Sequence, residues 1–203
     1  MNKLLIATNN KGKVIELQEI LRRLNIQLVT PKDINLVLDV IEDGQNYQEN
    51  AGKKAREFAQ TSGYISLADD SGLEVDALNG APGLYSARYS PKPNATDKDR
   101  RDFLLENLQD KPNPWKAHFH ATIAIAKPNG GIEFAEGNCY GEIIPEERGA
   151  NGFGYDPIFL FPELGKTMAE LDSETKNKIS HRGLAMMNAM SILRKIFGNE
   201  QPA

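Results

Sequence analysis

The most constraining feature of this sequence is its opening. A short apolar run, Lys3-Leu4-Leu5-Ile6-Ala7-Thr8, gives way to the polar loop Asn9-Asn10-Lys11-Gly12-Lys13. Apolar residues then recur at Val14, Leu17, Ile20, Leu21 and Leu24, with Glu16, Glu19, Arg22 and Arg23 on the other face. A run of this length bounded by turn residues reads as a buried strand, and the three-and-four spacing reads as an amphipathic helix. Strand, tight loop, helix is a unit that needs further strands beside it and a layer of helices over it.

The rest of the chain supplies both. Leu28–Thr30 reads as a second strand before Pro31, and Tyr47 with Asn50–Gln60 as a second helix ended by Ser62-Gly63. Tyr64–Ala68 is strand-like and runs into the acidic turn Asp69-Asp70-Ser71-Gly72. Gly80-Ala81-Pro82-Gly83 is a turn, and Thr96–Asn107 a helix carrying Phe103, Leu104 and Leu105. His118–Ala126 alternates as a strand, Pro128-Asn129-Gly130-Gly131 is a hairpin turn into Ile132–Ala135, and Gly137–Ile144 continues the sheet. Pro157–Phe161 is a further strand, and Thr167-Met168-Ala169-Glu170 fits a capping box. Ser180 caps a last helix with Leu184, Met187, Met190 and Leu193 along it, ending at Gly198. Strands and helices interleave, so the class is α/β, and the hairpin-rich middle is the candidate for a second lobe.

Composition removes several functions. With 24 Lys+Arg against 28 Asp+Glu, the net charge of −4 lacks the basic excess of a duplex-DNA binder, and no basic stripe suggests an RNA module. One cysteine, Cys139, excludes an intrachain disulfide and a Cys-rich metal cage, and three histidines make an all-protein transition-metal site improbable. No apolar run approaches the ~18 residues of a membrane helix. Leu4–Ala7 is too short for a signal-peptide core, so a soluble, cytoplasmic protein is expected.

Four segments carry candidate chemistry. The loop Thr8–Lys13 before a helix offers backbone N–H groups, the positive end of the helix dipole and two lysines, which suits a phosphate. It is not a Walker A loop, because Val14 stands where Ser or Thr would be needed. An ordinary helix-capping loop fits equally well. Asp69-Asp70-Ser71-Gly72 puts two carboxylates at a strand end, where hard oxygens suit magnesium; a capping turn is the bland alternative. Glu42-Asp43-Gly44, read alone, is a solvated acidic turn. Gly149–Pro157 sets Phe153, Tyr155 and Asp156 among glycines that let a flat ligand approach, and a stacked base there contributes about 1–3 kcal/mol. Ser180-His181-Arg182-Gly183 joins N–H donors with an imidazole and a guanidinium, although a lone His at a helix start is more often a cap or core residue.

Taken together and in order, these segments resemble the non-standard purine nucleoside triphosphate pyrophosphatases, the Ham1-like inosine/xanthosine triphosphatase family. The match rests on Thr8-Asn9-Asn10-Lys11-Gly12-Lys13, Glu49-Asn50-Ala51 with Lys54-Ala55, Ala68–Asp76, Gly80–Tyr89, Gly152–Pro157, Lys176 and Ser180–Gly183. Asn151, in a loop often richer in glycine, is a mild departure.

The resemblance implies one two-lobed α/β domain over residues 1–203, built on a long, twisted mixed sheet with a substrate cleft between the lobes. It also implies a homodimer, and magnesium-dependent cleavage of dITP, ITP or XTP to the monophosphate and pyrophosphate. That activity would cleanse the nucleotide pool and keep such bases out of DNA and RNA. By matched position, Asp70 is the general base and a metal ligand, and Glu42 is a second metal ligand. Thr8, Asn9, Asn10, Lys11, Gly12, Lys13, Lys54 and Ser71 fall at phosphate and sugar contacts. Phe153, Gly154, Tyr155, Asp156, Lys176, His181 and Arg182 fall at the base pocket. A pyrophosphatase for other modified nucleotides and a non-hydrolysing nucleotide sensor are the alternatives.

Overall fold

The structure, a computed structural model, describes residues 3–22 and 24–198. Among the described residues there are seven strands and five α-helices. They are β1 (Lys3–Ile6), α1 (Lys11–Leu21), β2 (Gln27–Val29), α2 (Tyr47–Ser62), β3 (Ile65–Val75), α3 (Asp97–Leu108) and β4 (Trp115–Ala126), followed by β5 (Ile132–Ile143), β6 (Phe159–Phe161), β7 (Lys166–Thr167), α4 (Ser173–Ile179) and α5 (His181–Phe197). The strands form one mixed sheet in the order β2-β1-β3-β4-β5-β6-β7. β1 lies parallel to both β2 and β3, while β6 is antiparallel to β5 and β7. The α/β expectation holds.

Two compact units make up the chain. Unit 1 comprises Met1–Asp70, Ala121–Gly137 and Gly183–Ala203; unit 2 comprises Ser71–His120 and Asn138–Arg182. Of the hairpin-rich middle, Ser71–His120 and Asn138–Arg182 fall in unit 2, as expected of a second lobe, while Ala121–Gly137 falls in unit 1. The hairpin tip of β4 and β5 packs with unit 1, because its apolar residues Ile123, Ile125 and Ala135 join Leu4, Ile6, Leu17 and Leu67 in one core.

Strand alternation organises unit 1. Leu4, Ile6 and Leu67 face a core shared with Leu17 and Leu21 of α1 and with Ala185, Met186, Ala189 and Leu193 of α5. Leu5, Ala7 and Ala68 face the other side, against Ala51, Ala55, Phe58 and Ala59 of α2. Successive residues of β1 and β3 thus serve opposite helical layers, as a two-residue period requires. Each fully buried leucine or isoleucine here is worth about 1.5–3 kcal/mol of transfer free energy.

Several boundaries differ from expectation, each for a local reason. β3 does not stop at Ala68 but runs through Asp69-Asp70-Ser71-Gly72 to Val75, so the acidic pair is embedded in a strand. Lysines beside it make that burial tolerable. Glu16, expected on the solvent side of α1, is 9% exposed. Met187 is 57% exposed, because the buried stripe of α5 runs through small residues, Ala185 and Ala189, that a search for large apolar side chains passes over. Asp156–Ile158 is a single 3-10 turn before β6, and the Thr167 capping box heads another, Met168–Glu170. α4 had no apolar signal; Asp172 starts it by accepting the Thr175 N–H at 2.8 Å.

Candidate functional site

In unit 1 the ends of β1 and β3 and the first turns of α1 and α2 converge on charged residues. The Ala7 N–H donates to the Leu67 carbonyl at 2.8 Å, which places the loop Thr8–Asn10 beside β3. Asn10 caps α1 by accepting the Lys13 N–H at 3.1 Å, and the Thr8 hydroxyl accepts the Asn10 N–H at 3.1 Å. Lys11 and Gly12 occupy the first turn, where N–H groups have no intrahelical acceptor. Asn9, Asn10 and Lys11 are exposed.

Asp69 and Asp70, consecutive in β3, look to opposite layers. Asp69 shares the side of Leu67 and is fully buried; its carboxylate pairs with Lys13, whose Nζ also donates to the Asp69 carbonyl at 3.3 Å. Asp70 shares the side of Ala68 and is 8% exposed. Burial pushes its carboxyl above the ordinary carboxylate range. Lys13 and Lys54 draw it back, Glu42 pushes it further up, and a hydrogen bond from Asn50 draws it down. Lys54 of α2 pairs with Glu42 and reaches the Asp69 carbonyl at 3.5 Å. Glu42, read alone as a solvated turn residue, is therefore half-buried and paired.

Asn50 was absent from the sequence-derived site. The Gly44 N–H donates to its Oδ1 at 2.8 Å, which leaves the amide N–H groups for Asp70. A Cβ on Gly44 would stand 2.6 Å from that same oxygen, so only glycine fits there. The signal was present in sequence as a glycine in the acidic turn six residues before an asparagine.

In unit 2 the remaining candidates gather around the Gly152–Asp156 loop. Asp156 and Lys176 form a buried pair at 2.7 Å, each side chain 6% exposed. The same Asp156 oxygen accepts the Phe153 N–H at 2.9 Å. Gly152 has φ +78°, and a Cβ there would collide with the Asp156 carboxylate, so the loop needs glycine twice over. The half-buried Phe153 ring has Lys176 Nζ 5.3 Å and the Arg182 guanidinium 5.7 Å from its centre. Arg182 is 2% exposed and donates to the Ser71 hydroxyl at 3.1 Å. His181 stacks on Phe119, centres 4.6 Å apart and planes at 12°, and its Nδ1 lies 3.9 Å from Cys139 Sγ. Burial pushes the Cys139 thiol up to about 12, so it is a packing group rather than a nucleophile. Tyr155 is 4% exposed and donates its hydroxyl to the Ser86 carbonyl at 2.9 Å. It secures the loop from beneath, and Gly154 and Phe153 form its outer part.

The predicted residues thus fall into two groups. Thr8, Asn9, Asn10, Lys11, Gly12, Lys13, Glu42, Lys54 and Asp70 lie in unit 1, and Ser71, Phe153, Gly154, Tyr155, Asp156, Lys176, His181 and Arg182 in unit 2. Ser71, the first residue of unit 2, accepts the Arg182 hydrogen bond there. A separate pocket of about 580 Å³ in unit 2, bordered by His118, Tyr140, Phe161 and Leu164, includes none of them.

The Ham1 family model matches residues 4–192. The chain belongs to the Ham1 family. It is 49% identical over 200 residues to the dITP/XTP pyrophosphatase of Desulforamulus reducens, covering 98% of this chain and 99% of that one. It is 43% identical to the Clostridium perfringens dITP/XTP pyrophosphatase, covering 97% and 99%. Among solved structures, a HAM1 protein from Coxiella burnetii superposes with a TM-score of 0.86 at 43% identity, covering 96% of this chain and all (100%) of that one. A nucleoside-triphosphatase / dITP/XTP pyrophosphatase from Mycobacterium abscessus gives 0.72 at 39% identity, covering 94% and 98%.

The Asp156–Lys176 pair has a measurable consequence. Asp156→Ala removes the carboxylate that faces the buried Lys176 ammonium and accepts the Phe153 N–H. Urea denaturation is expected to show a loss of about 3–5 kcal/mol.

Proposed function

We propose that the chain hydrolyses non-standard purine nucleoside triphosphates, dITP, ITP and XTP, to the monophosphate and pyrophosphate. Family membership supports the reaction class, and the observation that carries it to these residues is Asp70, buried beside Glu42 with Lys13 and Lys54 at hand. A triphosphate brings about four negative charges, which must be offset before a carboxylate can work beside it. Lys13, Lys54 and the first-turn N–H groups of α1 supply fixed positive charge for the tail.

Magnesium fits this donor set. Among the described residues no group of three or more His, Cys, Asp or Glu side chains is arranged to hold a metal. Magnesium, however, commonly takes only one or two carboxylates and completes its shell with substrate phosphates and water. Glu42 and Asp70 would provide those oxygens. When bound, the ion neutralises phosphate charge and polarises the phosphorus centre.

Asp70 acts as general base. Its carboxylate takes a proton from the attacking water, and the raised pKa makes it a better acceptor than an exposed aspartate. Lys54 pairs with Glu42, which holds its ammonium beside the carboxylate that would take the metal. Phe153 provides a stacking face for the purine, with Lys176 and Arg182 enriching the ring surroundings in positive charge. N–H donors near His181 and Arg182, at the start of α5, suit a 6-keto oxygen. Adenine would present an amino group to those donors and leave them unpaired, a penalty of about 1–3 kcal/mol.

The assembly we propose is a homodimer acting within the cytoplasm on free nucleotides, which protects DNA and RNA from the deaminated bases. Exposed Tyr140 and Leu164, 71% and 49%, offer apolar surface in unit 2 for contact with another chain. Among the described residues no helix is long and apolar enough to cross a membrane.

Three outcomes test this reading. With dITP and magnesium, the wild-type protein is expected to release pyrophosphate, and Asp70→Asn to lose at least a hundredfold in turnover while nucleotide affinity is largely kept. Retention of most of the rate by Asp70→Asn would remove it from the base role, and tight ITP binding without pyrophosphate release would mark a sensor. Glu42→Gln is expected to raise the magnesium needed for half-maximal rate; an unchanged titration would exclude it as a ligand. Light scattering after gel filtration is expected to give twice the 22.5 kDa chain mass.

A further inference from the structure

Gly154, the residue that follows Phe153, is held through both its N–H and its carbonyl by one face of α3. Asp97, the first residue of that helix, accepts the Gly154 N–H through Oδ2 at 2.8 Å. Arg101, one turn further on the same face, donates through Nη1 to the Gly154 carbonyl at 2.7 Å. Neither side chain is left to wander. The Arg101 guanidinium also forks onto Glu147, at 3.0 Å from Nε and 2.9 Å from Nη2. Arg100 pairs with the second Asp97 oxygen and donates to the Ala95 carbonyl at 2.7 Å. The start of α3 is itself secured by a reciprocal capping box between Thr96 and Asp99.

Gly154 has φ +62°, yet nothing lies within 4 Å of the Cβ that another residue would carry there. Its conformation therefore follows from how its N–H and carbonyl are held, not from crowding. Phe153 sits between two fixed points: its own N–H is held by Asp156, and the next residue by Asp97 and Arg101. That sets the direction in which the ring leaves the backbone.

We infer that Asp97 and Arg101, braced by Glu147, are positioning residues for base recognition, setting the Phe153 ring for stacking on the purine without touching the substrate. This rests on the reading of Phe153 as the base platform. The reaction centre is in unit 1, so the chemical step should be spared while binding of the base is weakened.

The test compares Asp97→Ala, Asp97→Asn, Arg101→Ala and Arg101→Lys with the wild type, using dITP kinetics and competition by inorganic tripolyphosphate, which has no base. Asp97→Ala and Arg101→Ala are expected to raise KM for dITP about tenfold, the effect of losing one good hydrogen bond, with kcat within about threefold. Asp97→Asn keeps an acceptor for the Gly154 N–H and is expected to stay near the wild-type KM. Inhibition by tripolyphosphate is expected to be unchanged throughout. Arg101→Lys keeps the charge but not the fork, and a KM rise of about threefold carries the test if the alanine variants fail to fold.

An unchanged KM in the alanine and lysine variants would overturn the inference. So would an Asp97→Asn defect equal to that of Asp97→Ala, or tripolyphosphate inhibition that weakens in step with KM. Phe153→Leu separates this inference from the reading beneath it. If Phe153→Leu raises KM while the α3 variants do not, only the positioning role fails; if Phe153→Leu leaves KM unchanged, the platform and the positioning role fall together.

Discussion

The buried ion pair between Asp69 and Lys13 is the interaction on which the unit 1 site depends. A fully buried carboxylate on β3 is tolerable only with a cation beside it, and the cation comes from the first turn of α1. The pair fixes where that helix begins relative to the strand, and so where its N–H groups gather. It also frees the neighbouring carboxylate. With Asp69 committed to one layer, strand geometry turns Asp70 to the other, where burial raises its proton affinity and Lys13, Lys54, Glu42 and Asn50 adjust it. Such a pair contributes modestly to net stability; its value is in arranging who stands beside whom.

Unit 2 solves a related problem with one carboxylate in two roles. Asp156 neutralises Lys176 and holds the Phe153 N–H through the same oxygen. Charge balance in the interior and the shape of the loop are therefore one constraint, and the packing of Gly152 against that carboxylate leaves no slack. Short α4 delivers Lys176 and ends next to Ser180, so the cation and the α5 donors arrive on consecutive elements.

Much of this was readable in the chain. The opening strand, loop and helix, the start of a last helix after Ser180 and the Gly63 stop are local signals, which act over a few residues. The ordered motifs along the chain carry the family's signature on their own. What stayed hidden was non-local. Asp69 and Asp70 read as a turn because acidic pairs are rarely buried in strands, and the lysines that make it feasible come from 15 to 56 positions away. Glu42 read as solvated for the same reason, its partner Lys54 being on another element. The role of Asn50 is not legible in sequence, since only the placement of Gly44 shows which end of its amide meets Asp70. α4, too short for an apolar stripe, depends on its Asp172 cap and on the pull of a buried salt bridge.

The strand character of Ile65–Val75 has one more consequence, for which sequence lengths evolution can explore. Inserting or deleting a single residue between Ile65 and Asp69 would shift every later side chain to the opposite layer. The acid meant for the lysine of α1 would then confront the amide of α2, and its neighbour the reverse. Length variation should accordingly collect in the Pro128–Gly131 turn, where an extra residue changes no side chain's facing, and be purged from this stretch. Within this fold the segment acts as a ruler whose count cannot drift.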